Sequence, residues 1–170
     1  MEESLSCFKE ALRLKEADPA SYSPLVLAYL GDAVYELAIR TLVVNEGNRQ
    51  VNKMHKESAS LVKAGTQMEF LLAIEDQLTE EEKSVYRRGR NAKSVTMAKH
   101  ATMREYRTAT GFEALIGYLY LQGKLERMAK LLGLGLERLG KWKDREGAKP
   151  LKNVGDSRGQ EPENTEQAGE

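Results

Sequence analysis

The chain reads as an all-α protein with one folded domain and a polar tail. Three observations predict this. Apolar residues recur at helical spacing, period-two alternation is missing, and helix start signals stand where the apolar stripes begin. A first short helix is predicted over residues 4–17. Ser23 then offers an N-cap and Pro24 a first helical position, opening a helix that continues to about Val44 and stops at "NEGN". A third is predicted over residues 50–72, with Val51, Met54, Leu61, Val62, Met68, Leu71 and Leu72 as its apolar stripe. Thr79 and Glu82 form a capping box at the head of "LTEEEKSVYRRGRNAK", and three glutamates suit the first turn. A further helix is predicted over residues 98–107. "GFEALIGYLYLQGKLERMAKLLGLGLERLG" reads as one or two more. No internal repeat is evident.

From Lys141 the composition changes to Gly, Pro and charged residues with one aromatic, Trp142. Such a segment buries too little apolar surface to offset its ordering entropy. The expected division is therefore a folded body over residues 1–140 and a mostly disordered tail over residues 141–170.

Composition excludes several classes. The 170 residues are 41% hydrophobic and 31% charged, with a formal net charge of zero. A global basic field for nucleic acid is absent, so any such site must come from local clustering. Cys7 is the lone cysteine and His55 and His100 are the only histidines. A disulfide framework and a thiolate or imidazole metal site are thus not expected. No apolar run reaches the roughly 18 residues of a membrane span. The acidic, amphipathic N-terminus is unlike a signal or transit peptide. These features predict a cytoplasmic protein without a membrane partner.

Charge does cluster locally. From Lys83 to Arg107 there are eight Lys or Arg against one acid, Glu105, a net of +7. "RRGRNAK" packs four of the eight around one glycine, which reads as a loop able to approach a phosphate backbone. Two readings stand, a solvated basic face or a nucleic-acid contact. No aromatic interleaves "RRGRNAK", so contact with a duplex fits better than stacking on single strands.

Two acids interrupt apolar helices. In "LVLAYLGDAVYELAIR" the wheel puts Leu27, Leu30, Ala33, Val34, Leu37 and Ala38 on one stripe and Asp32 on the other side. In "GFEALIGYLYL" Leu115, Ile116 and Leu119 form the stripe and Glu113 faces elsewhere. Either both acids are solvated, or the helices pair and the carboxylates converge in a gap lined by glycine and alanine. The second arrangement suits Mg²⁺, which takes one or two carboxylates plus substrate phosphate.

"LAYLGDAVYE", "LTEEEKSVYRRGRNAKS" and "YRTATGFEALIGYLY", in this order and spacing, resemble Mini-ribonuclease III. That family is the ribonuclease III branch lacking a double-stranded-RNA-binding domain. The resemblance covers residues 24–132. It implies a homodimeric, Mg²⁺-dependent endonuclease of double-stranded RNA that matures the ends of the 23S ribosomal RNA precursor. A large-subunit ribosomal protein is a candidate helper. Asp32 and Glu113 stand at the family's catalytic, metal-binding positions. Arg87, Arg88, Arg90, Asn91, Lys93, Lys99 and Arg107 become the expected RNA contacts. The dimer contact falls in the signature helix, with Tyr29 and Ala33 toward the partner. This chain has Ala28 and Thr110 where full-length ribonuclease III carries two further acids, a reduced set that the Mini branch shares. Val95 and Ala98 stand where the branch usually has glycine and proline, and Lys63 replaces a small polar residue. The alternative is a catalytically silent helical module that binds structured RNA in ribosome assembly.

Overall fold

The structure is a computed structural model describing residues 2–93 and 101–141, with side chains from residue 6 on. Among these residues there are seven α-helices and no strand. They are α1 (Glu2–Ala11), α2 (Pro24–Val44), α3 (Val51–Val62), α4 (Ala64–Ile74), α5 (Glu80–Asn91), α6 (Met103–Leu121) and α7 (Leu125–Arg138). The expectations for the tail beyond Lys141, and for Val95, Ala98 and Lys99, fall outside the described residues.

Several helix starts lie where local chemistry puts them. The Ser23 hydroxyl accepts from the Val26 amide, with Pro24 at the first helical position. Thr79 and Glu82 close their capping box in both directions, and Thr102 with Glu105 forms a second. Three boundaries differ from expectation. The first helix ends at Ala11, because Arg13 turns the chain at a φ of +51°. The helix predicted over residues 50–72 is two helices, broken at Lys63, whose backbone is extended. The Thr66 hydroxyl donates to the Ser60 carbonyl at 2.8 Å and Gln67 Nε2 donates to Val62 at 2.9 Å, satisfying carbonyls freed by the break. Finally, the stretch read as separate helices around residues 107–111 is continuous within α6.

α6 is the axis of the fold. It is buried almost without interruption from Thr108 to Leu119, except for Glu113, and packs most extensively on α2, then α5 and α4. Tyr35 of α2, Phe70 of α4 and Phe112 of α6 meet as an aromatic cluster with ring centroids 5.0–5.8 Å apart. Such pairs add about 1 kcal/mol each beyond their buried area. The Tyr35 hydroxyl, buried beside them, donates to the Leu61 carbonyl at 3.0 Å. Arg127 ties α7 to α5 by pairing with Glu82 at 2.8 Å and donating to the Gln77 carbonyl.

The buried stripe of α2 is not the one expected. Leu27, Ala28, Gly31, Tyr35, Ile39 and Val43 face the core, whereas Leu37 is 66% exposed and Ala33 is exposed. α2 is apolar nearly all round, so a wheel alone cannot choose the face. The choice is made at Gly31, where α6 comes too close for any side chain.

Candidate active site

A Cβ placed on Gly31 would lie 1.7 Å from the Glu113 carbonyl oxygen, and one on Gly117 would lie 2.1 Å from that of Leu27. α2 and α6 therefore cross backbone to backbone. Asp32 directly follows the crossing residue on one helix, and Glu113 is the residue touched on the other. Both side chains open into a cleft of about 550 Å³, also lined by Lys63, Gln67, Glu105 and Thr110.

Glu113 feels the charge of Asp32. Burial pushes Glu113 up to about 7, and the charge of Asp32 adds to the rise. The Gln67 amide favours the charged form and pulls the other way. Asp32 remains exposed, yet the desolvation of its inner side raises its pKa, with Glu36 as a second cause. Paired acids with raised pKa values in an open cleft are poised to accept a proton or a cation.

Over residues 25–124 the chain matches the ribonuclease III domain model. It is 50% identical to the Mini-ribonuclease 3 of a Thermoanaerobacter species, over 81% of this chain and 97% of that one. The Mini-ribonuclease 3 of Clostridium tetani is 47% identical, over 69% of this chain and 78% of its relative.

The chain belongs to the ribonuclease III family, on its Mini-ribonuclease 3 branch.

Membership makes it an endoribonuclease. A crystal structure of a Fusobacterium nucleatum protein shares the fold, with a TM-score of 0.66 and 34% identity, over 72% of this chain and 99% of that one.

Four acids line the cleft of this ribonuclease III family member: Asp32, Glu69, Glu105 and Glu113. Ala28 and Thr110 are buried, and the Thr110 hydroxyl donates to the Tyr106 carbonyl within its own helix. Glu105 lines the cleft, but its carboxylate caps α6 by accepting from the Thr102 amide. Among the described residues no group of three or more His, Cys, Asp or Glu could hold a metal ion. Asp32 and Glu113 stand as a pair.

The basic residues occupy a helix end, not a glycine loop. Arg88, Arg90 and Asn91 lie on the last turn of α5 with Arg87 just before it, all exposed, and Lys93 is exposed just beyond. Gly89 is buried against α6, where its Cβ would meet Ala114 at 2.8 Å and the Gly111 Cα at 2.9 Å. Its role is close packing, which holds the arginines at the level of α6 that carries Glu113. Cationic side chains also suit this helix C-terminus. Arg107 is exposed on α6. Arg87, Arg88, Arg90 and Arg107 enter no salt bridge among the described residues. Lys99 lies outside those residues.

Sequence reasoning passed over Gln67, which is buried in the same cleft. A signal was present. Gln67 falls in helical register with Phe70, Leu71 and Ile74, a polar residue on a core-facing stripe.

Proposed function

We propose that the chain cleaves double-stranded RNA, with Asp32 and Glu113 holding Mg²⁺ and the α5 end holding the RNA backbone. The observation that carries this is that both carboxylates open into one cleft, where the charge of Asp32 adds to the rise that burial imposes on Glu113. Two hard oxygen donors with open space between them fit Mg²⁺, which keeps several waters and needs few protein ligands. Bound there, the cation supplies Lewis acidity to a phosphodiester and an acidified water. Asp32 and Glu113 must be ionised for this, and a neighbouring cation favours that state. Arg87, Arg88, Arg90, Asn91, Lys93, Lys99 and Arg107 are assigned to phosphate contacts, which give affinity without sequence readout.

The natural substrate is inferred to be the 23S ribosomal RNA precursor, processed in the cytoplasm, with a large-subunit ribosomal protein as the proposed assisting partner. Among the described residues no helix is long and apolar enough to cross a membrane. The catalytic unit is assigned to residues 1–140. A homodimer is proposed from the second apolar face of α2. Tyr29 is 83% exposed there, with Val26, Ala33, Leu37 and Val44 on the same side. A stripe of that kind on an ordered helix is a candidate self-contact. Two subunits would place two sites across one duplex and make a staggered double cut.

The test is a duplex RNA incubated with the wild type and with Asp32→Asn, with and without Mg²⁺, and read on a denaturing gel. The wild type cuts only with the metal. The variant keeps the volume but lacks the charge, so it binds the duplex and leaves it intact. Near-wild-type cleavage by Asp32→Asn would refute the metal assignment. Binding without product by the wild type would favour a silent RNA-binding module.

A further inference from the structure

Gln67 is 2% exposed, yet it lines the cleft that Asp32 and Glu113 share. Its Nε2 donates to the Val62 carbonyl at 2.9 Å, and the amide shares the cleft with the Glu113 carboxylate, close enough to favour its charged form. Its Oε1 is buried without a hydrogen-bond partner among the described residues. A buried amide that leaves its acceptor unpaired is destabilising in itself, so its presence needs a reason.

Capping is the simplest reason, because α3 ends at Val62 and its last carbonyls need donors. That accounts for one N–H of Gln67. It leaves the approach to Glu113 unexplained, and Thr66 caps the same break with no orphaned atom. The break at Lys63 has a geometric consequence that bears on this. It starts α4 anew against α6, so that Gln67 in its first two turns lines the same cleft as Glu113, the one position of the stretch from Thr108 to Leu119 that is not fully buried.

We propose that Gln67 is a positioning residue: its amide fixes the Glu113 carboxylate in the orientation that faces Asp32 and takes up a divalent cation. The inference rests on the metal-dependent function proposed above. It assigns Gln67 no contact with RNA and no proton transfer. Groups that orient a metal ligand typically change metal affinity or activity 10- to 100-fold when removed, roughly as the ligand's freedom increases.

The experiment compares the wild type with Gln67→Met, which keeps the length and loses the donor. Three quantities are read: the melting temperature in EDTA, the Mg²⁺ concentration that half-saturates the rise in melting temperature without RNA, and the Mg²⁺ dependence of single-turnover cleavage. In Gln67→Met both Mg²⁺ midpoints rise about tenfold. Metal-free duplex affinity is unchanged. Should Gln67→Met fail to fold, Gln67→Asn, an amide shortened by one methylene, is expected to shift the midpoints in the same direction. Midpoints equal to wild type, with only a lower melting temperature in EDTA, would mean that Gln67 merely caps α3. A wild type that neither gains stability from Mg²⁺ nor cuts duplex RNA would overturn the metal-dependent function itself, and this role with it.

Discussion

Removing the charge of Asp32 should relieve Glu113, since that charge is the second cause of its raised pKa after burial. In Asp32→Asn the Glu113 carboxyl, followed by NMR titration, should titrate below about 7 yet above its ordinary 4.5, because burial remains. The same shift makes a stability statement. The metal-free folded chain holds the Glu113 proton more tightly than the unfolded chain, so this contribution is full below the unfolded pKa and lost as pH rises through the folded one. Taken from 4.5 to 7, the shift corresponds to roughly 3 kcal/mol. Asp32, also raised, works in the same sense, whereas Asp76 and Glu82 work in the opposite one. Arg138 holds Asp76 at about 2, and at Glu82 burial is outweighed by Arg127 and the Thr79 amide, but their losses fall at more acid pH. In EDTA the wild type should therefore melt higher at about pH 5.5 than at about pH 8, and Glu113→Gln should flatten that difference. A wild type equally stable at both would mean that Glu113 is not held against its charge.

Helix packing carries the next set of consequences. Gly31→Ala drives a methyl into the Glu113 carbonyl, a backbone atom that cannot swing away. Overpacking of this kind should cost about 3 kcal/mol, visible as a fall in the urea midpoint. A midpoint within error of wild type would show that α2 and α6 can part without loss. On α5, Arg88→Ala with Arg90→Ala should lower the slope of log affinity against log salt by about 1.5, at roughly 0.7 to 0.9 per phosphate contact. Single-turnover rate at saturating RNA should survive, because contacts made equally in ground and transition states act on KM. An unchanged slope with a collapsed rate would place these arginines in the catalytic machinery. Legibility in the sequence followed the range of the forces. The Ser23–Pro24 start and the Thr79–Glu82 box are local chemistry, and they were readable as such. The break at Lys63 has neither glycine nor proline at its centre. It is stabilised by Thr66 and Gln67 reaching back to carbonyls, which no periodicity reports. The buried face of α2 was misread because Leu30, Leu37 and Ala38 outweigh Gly31 on a hydrophobic wheel. Asp32 and Glu113 were identified as candidate residues, but their meeting depends on a contact between two glycines and two backbones. Gly89 looked like a loop because its packing partner, Gly111, is 22 residues away in the chain.

At the scale of the whole molecule, the exposed stripe on α2 makes an expectation about assembly. Sedimentation should report twice the chain mass of 19.1 kDa, and Tyr29→Glu should shift the protein toward monomer. With one site left per particle, the products should change from a staggered double cut to single-strand nicks. A wild type that sediments as a monomer while still cutting both strands would remove the dimer from the proposal. The crossing of α2 and α6 also bears on how such a protein can decay. Neither Gly31 nor Gly117 has a side chain to offer a substrate, yet the spacing of the two acids depends on both. A descendant could keep Asp32, Glu113 and every arginine and still become a pseudoenzyme through one added methyl at residue 31 or 117. An audit of such descendants that inspected only their reactive side chains would pass them as active, when the damage had been inherited at positions with no chemistry of their own.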